Sequence, residues 1–122
     1  MLRTLTLLAL MPMFLTAARA DEPNPGETML KRCEICHTLN DGGANKAGPN
    51  LHGVYGRQAG SAKGFAFSAA MKNSGIVWDD RTLAKFLRDP KDSLPGNRMS
   101  FPGLTDGAVL ADLLARLKQA TQ

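Results

Sequence analysis

The sequence predicts an all-α fold, about four to five short helices joined by long glycine- and proline-rich loops. Three observations carry that expectation. Apolar residues recur at helical spacing in separate segments, and no stretch alternates apolar with polar as a half-buried strand would. Two connections, 40–67 and 90–103, are too long for ordinary links in a compact domain, and loops of that length wrap something or carry function.

The N-terminus, "MLRTLTLLALMPMFLTAARA", reads as a bacterial-type secretory signal peptide. Arg3 gives the positive start, Thr4 to Ala18 is uncharged and mostly apolar, and Ala18-Arg19-Ala20 is a small-x-small cleavage site. The run falls short of the roughly 20 residues that span a bilayer, and Pro12 interrupts it, so a stable membrane span is not expected. Cleavage after Ala20 leaves one domain, 21–122, addressed to the periplasm. Removing Arg3 and Arg19 lowers the formal net charge from +4 to +2, because the leader holds no acidic residue. A mildly basic chain with no charge run and only seven aromatic residues gives no ground for nucleic acid binding.

The helices follow in order. The first is expected from about Gly26 through Cys36, with Met29, Leu30 and Cys33 on one side. Ser68 can cap a short helix over "AAMKNSG" that Gly75 would end. Asp79 can cap "DRTLAKFLRD", where Leu83, Phe86 and Leu87 form the apolar face and Pro90 stops the helix. The last starts at Thr105 or Asp106, repeats Val109, Leu110, Leu113, Leu114 and Leu117 at helical spacing, and places Lys118 at its C-terminal end.

Chemistry concentrates in "KRCEICHTLN". Cys33 and Cys36 are the chain's two cysteines, and His37 follows the second directly. A disulfide across two intervening residues closes a tiny strained loop and stabilises little. Structural zinc takes four ligands, yet His37 and His52 are the two histidines and no second ligand pair stands at the usual spacing. A thioredoxin-type pair accompanies a βαβ pattern, which is missing. Covalent haem attachment by C-x-x-C-H remains. Thiols one helical turn apart can reach neighbouring vinyl groups of a porphyrin edge as thioethers, and His37 then supplies one axial nitrogen. A haem also explains the architecture, since helices poor in aromatics can pack on a large apolar ring while long loops cover its faces.

For the iron's other side the mature chain offers Met29, Met71, Met99 and His52. Met29 lies on the helix leading into the motif and reads as core, and Met71 reads equally well as filler. Met99 sits in "SLPGNRMSFPG", a loop stiffened by Pro95 and Pro102 and turned at Gly96 and Gly103. It is the strongest of the candidates, because a weak thioether ligand must be held by its surroundings.

Beyond these readings, the chain resembles a class I c-type cytochrome, in particular the mitochondrial cytochrome c and bacterial cytochrome c2 group. The pieces that carry the resemblance are "CEICHTLNDGG", "GPNLHGVYGRQAG", "GFAFSAAMKNSGIVWDD", "FLRDPKDSLPGNRMSF" and "ADLLARLKQAT". They keep the family's order and spacing across essentially the whole mature chain. The resemblance implies a small cytochrome c fold around one covalent haem c per chain, with the first and last helices crossing. It implies His37 as proximal ligand, Met99 as distal ligand, and Cys33 and Cys36 as the thioether links. Pro49 matches the proline whose carbonyl accepts the proximal imidazole N–H, and Arg57 and Trp78 match residues that bind or neutralise the buried propionates.

Departures from the family pattern accompany these matches. Phe67 and Phe86 stand where tyrosine is frequent, Met71 where asparagine is, and Asn45 where mitochondrial members often carry histidine. Arg116 stands where the last helix usually has an aromatic residue. The ring of cations around the haem edge is partly kept by Arg32, Lys46, Lys91 and Arg98, with Asp92 and Asp106 intruding. With both axial positions filled, no site is open to a substrate, so the expected function is not enzymatic. It is that of a monomeric, periplasmic carrier of one electron between redox proteins that dock over those four cations. The alternatives are a haem-bearing subunit of a periplasmic oxidoreductase, or peroxidase-like chemistry if Met99 is labile.

Overall fold

The computed structural model describes residues 22–122, and the expected leader, residues 1–20, lies outside them. The first helix, α1, spans Pro25–Cys33. Asn24 caps it, its side-chain oxygen accepting the Gly26 N–H at 2.8 Å, and Pro25 takes a first-turn position where a missing N–H costs nothing. Regular helix stops three residues before the expected Cys36. There the chain tightens into i→i+3 bonds, with the Ile35 N–H on the Arg32 carbonyl at 3.2 Å and the Cys36 N–H on the Cys33 carbonyl at 3.1 Å.

Helix α2 spans Ala69–Lys72, capped by Ser68 as the sequence predicts, with the Met71 N–H donating to the Ser68 hydroxyl at 3.1 Å. It ends before the expected Gly75, where the Ser74 hydroxyl donates to the Met71 carbonyl at 2.9 Å and closes the last turn. Asp79 then opens α3, Asp80–Arg88, with a reciprocal cap. The Thr82 N–H donates to the Asp79 carboxylate at 2.8 Å, and the Asp79 N–H donates to the Thr82 hydroxyl at 2.9 Å. Leu83 and Phe86 are buried, and Leu87 is half-buried against them.

Pro90 does more than the sequence suggests. It ends α3 and also opens one further turn, α4 (Pro90–Ser93), whose cap is Asp89. The last helix, α5, runs Gly107–Ala120. Asp106 is its cap, accepting the Ala108 and Val109 N–H groups, each at 3.0 Å, so Thr105 lies outside the helix.

Helix α5 organises the rest. It packs against both α1 and α3. Where it meets α1 the small residue is Gly26, since a Cβ there would collide with the Asp112 carboxylate. Arg116 joins the two helices, its Nε at 2.7 Å from Asp112 and its Nη1 at 3.7 Å from Glu27 on α1. An ionic clasp thus occupies the position where the family pattern usually has an aromatic side chain.

Leu110, Leu114 and Leu117 of α5 join Leu39, Val54, Trp78, Leu83 and Phe86 in one buried cluster. Each fully buried leucine contributes about 1.5–3 kcal/mol. Among the described residues there is no strand. One isolated antiparallel bridge, Gln58 to Val77, ties two loop segments together.

Candidate functional site

The C-x-x-C-H segment grows directly out of α1. Cys33 is the last helical residue and half-buried, Cys36 is exposed one turn later, and both thiols are free. Burial pushes the Cys33 thiol up from its ordinary range. The His37 N–H donates to the Cys33 carbonyl at 2.9 Å, which continues the winding and sets the imidazole on the same end of the helix as the thiols. Among the described residues no three His, Cys, Asp or Glu side chains gather as a metal cluster.

Segment 46–51 folds over that end. The Gly48 N–H donates to the Cys36 carbonyl and the Leu51 N–H to the Thr38 carbonyl, both at 2.8 Å. A side chain at position 48 would run into the His37 ring, so glycine is what lets the backbone lie against it. His37 Nδ1 then sits 2.7 Å from the Pro49 carbonyl oxygen. A carbonyl only accepts, so Nδ1 carries the proton and donates, leaving the Nε2 lone pair free. Burial lowers the pKa of His37, with the Pro49 bond working in the opposite direction, and the neutral imidazole is favoured.

Two asparagines that sequence reasoning did not single out as supports hold this segment. Asn50 Nδ2 donates to the Thr38 hydroxyl at 2.8 Å and to the Asn40 carbonyl at 2.9 Å. Asn45 accepts the Asn50 N–H at 2.8 Å and donates to the Lys63 carbonyl at 3.0 Å. Asparagine in a polar loop is a common turn residue, and nothing local in the sequence marks these two as clamps.

Arg57 and Trp78, far apart in sequence, are brought side by side. The Trp78 N–H donates to the Arg57 carbonyl at 3.0 Å, and the Gly56 N–H donates to the Trp78 carbonyl at 2.7 Å. Arg57 is half-buried and gives Nη1 to the His52 carbonyl and Nη2 to the Asn50 carbonyl, each at 3.1 Å. A guanidinium has five N–H donors, so donors remain for an anionic group. Trp78 is buried, its ring 5.3 Å from that of Phe86.

Met99 is held on a different loop from His37. Asn97 is the organiser here: its Nδ2 donates to the Pro90 carbonyl at 2.7 Å and the Leu94 carbonyl at 2.8 Å, while its Oδ1 accepts the Met99 N–H at 3.0 Å. Met99 is half-buried, and so are Leu30, Leu51, Met71, Leu94 and Leu104, all packed on the buried cluster. Of the other candidates for the distal position, Met71 shares that apolar set with Met99, Met29 is on α1, and His52 Nε2 lies 3.8 Å from the exposed Asp41, an ion-pair distance.

These residues fit a covalently attached haem. Two free thiols stand one turn apart, a neutral imidazole keeps Nε2 available beside them, and half-buried apolar side chains supply a wall for a porphyrin. No family model matches the chain. Curated relatives do. It is 45% identical over 105 residues to cytochrome c of Nigella damascena, covering 85% of this chain and 95% of the relative. To cytochrome c2 of Blastochloris viridis it is 43% identical over 102 residues, covering 84% of this chain and 80% of the relative.

The chain belongs to the class I c-type cytochromes. A solved structure, cytochrome cH from Methylobacterium extorquens, superposes with a TM-score of 0.71 at 43% identity, covering 78% of this chain and 95% of that one. The cytochrome therefore carries haem c, covalently attached through the C-x-x-C-H motif, and is a single-haem electron carrier, not an enzyme. The observed helices and long loops are the small cytochrome c fold. No helix among the described residues is long and apolar enough to cross a membrane.

Proposed function

We propose that this cytochrome is an exported, soluble, monomeric carrier that moves one electron at a time between periplasmic redox proteins, with His37 and Met99 as axial ligands. Haem c supplies the one-electron couple. The protein's own part is to hold ligands, exclude water and present an edge. The observation that carries the reading is the His37–Pro49 bond, which fixes the tautomer and aims the free Nε2 away from the Pro49 carbonyl. Asn97 supports Met99 in the same way, by fixing the backbone of a ligand too weak to place itself. Asp41 beside the His52 ring favours Met99 over His52.

Cys33 and Cys36 form the thioethers in this reading, and Arg57 with Trp78 holds the propionates. Residues 1–20 are the signal peptide, so N-terminal sequencing of the mature protein should begin at Asp21. Met99→Ala tests the ligand set. The ferric protein should lose its sulfur-to-iron band, its potential should fall, and it should bind cyanide and carbon monoxide that the parent resists. An unchanged ferric spectrum would return the distal position to Met71 or His52.

A further inference from the structure

Helix α3 buries Leu83 and Phe86, which turns Arg81, Lys85 and Arg88 outward along one stripe at i, i+4 and i+7. All three are exposed. Among the described residues none of them has a carboxylate within ion-pair distance, although Asp80, Asp89 and Asp92 are close in sequence. Those acids are arranged otherwise. Asp80 pairs with Lys118 at 3.4 Å, and Asp89 accepts the Asp92 N–H at the start of α4. The stripe is thus three cations without a direct ion pair, about 10 Å long at 1.5 Å per helical residue.

It is also concave. The three cations line a groove of about 540 Å³ whose α4 side is formed by Asp89, Asp92 and Ser93. A neighbouring groove is lined by Lys91, Arg98 and Met99, and the two share no residue. The three cations of the stripe are thus not among the four expected around the haem edge, although Asp92 borders both sets.

We propose that this groove is a second docking surface, and that its occupant is an acidic segment of a partner protein. Cations a turn apart over about 10 Å outreach one phosphate but match carboxylates repeated along a peptide. A flat anionic lipid surface would bring its phosphates against Asp89 and Asp92, whereas a peptide can offer those residues its own N–H donors. Held there, a partner leaves the haem-edge cations free for electron exchange. The function of the groove rests on the carrier reading. Its occupancy does not, and binding without electron transfer distinguishes the two.

The test uses the haem-loaded protein and a fluorescein-labelled peptide of alternating Glu and Ser, titrated at low salt. The variant Arg81→Glu, Lys85→Glu, Arg88→Glu should weaken binding about tenfold or more. Lys31→Glu, Lys63→Glu, Lys72→Glu changes the net charge equally and should weaken it far less. Arg81→Gln, Lys85→Gln, Arg88→Gln, a milder set, should fall between parent and reversal, and an intact haem spectrum confirms folding in each. Amide shifts in the parent should centre on α3 and α4. The proposal is overturned by equal loss in both charge reversals, by shifts centred on Arg32 and Lys46, or by a parent that binds no peptide. Displacement by inorganic phosphate at constant ionic strength overturns it in favour of a small-anion site. So does α3-dependent binding to phosphatidylglycerol vesicles without peptide binding, in favour of a membrane.

Discussion

The bond from His37 Nδ1 to the Pro49 carbonyl decides which imidazole nitrogen stays available, and Gly48 is what allows the two segments to approach. Gly48→Ala adds one methyl group against the His37 ring. The ring or the 46–51 backbone must then move, at a cost of about 1–3 kcal/mol for an overpacked site. Thermal unfolding of the haem-loaded variant should drop by several degrees, and its haem spectrum should broaden. A melting curve that overlays the parent would mean the loop gives freely. Phe86 offers a finer test, because it is buried against Trp78 where relatives often carry tyrosine. A hydroxyl near the Met99 sulfur would make it a poorer ligand for ferric than for ferrous iron. One hydrogen bond is worth about 1 kcal/mol net, or roughly 40 mV for one electron, since tenfold is 59 mV. Phe86→Tyr should therefore raise the midpoint potential by tens of millivolts in a redox titration. A level or falling potential would show that the ring points elsewhere. At this scale the cysteines and His37 stand out by spacing alone and the His37–Pro49 bond was legible from resemblance, whereas the propionate roles of Arg57 and Trp78 rest on resemblance alone. The clamps Asn50 and Asn97 were not legible, because their partners are set by loop folding.

Helix starts were easier to read than helix ends. Ser68, Asp79 and Asp106 each accept N–H groups of the turn that follows, a local interaction that residue type announces. The ends of α1 and α2 depend on turn bonds and a serine hydroxyl outside the apolar pattern, and both came earlier than expected. The single turn of α4 was hidden because proline marks a stop and a first-turn position alike. The Asp79 cap also carries a pH signature. Accepting the Thr82 N–H holds its carboxyl below the ordinary range. A depressed folded value means the cap's contribution is fully present above the ordinary carboxylate pKa, 3.8, and is lost as pH falls through the lower folded one. Asp79→Asn keeps an acceptor and removes the charge. Its melting temperature should trail the parent's at neutral pH and meet it in acid. Parallel curves would mean the charge contributes nothing to the cap.

For the whole molecule, the question is how a protein with little net charge finds its partners. The full chain has a formal charge of +4, and the mature form proposed above would have +2. Arg32, Lys46, Lys91 and Arg98 are all exposed, so they can act on an approaching acidic surface. They do not act alone. Lys46 donates to the Glu34 carbonyl at 2.7 Å, which holds its charge close to the haem-attachment segment, while exposed Asp92 and Asp106 offset part of the field. Steering depends on the summed potential within a Debye length, about 30 Å at 0.01 M salt and about 8 Å at 0.15 M. At low salt a partner therefore senses the cations and the two aspartates together, and at higher salt only the nearest groups. Stopped-flow association with an acidic redox partner should slow as salt rises, less steeply than for a relative with a full lysine ring. Asp92→Asn, Asp106→Asn should steepen that slope without changing the haem spectrum, and Lys46→Gln should flatten it. Rates indifferent to salt in all three proteins would mean that these charges are ordinary solvated ones, and that shape and apolar contact at the haem edge govern docking.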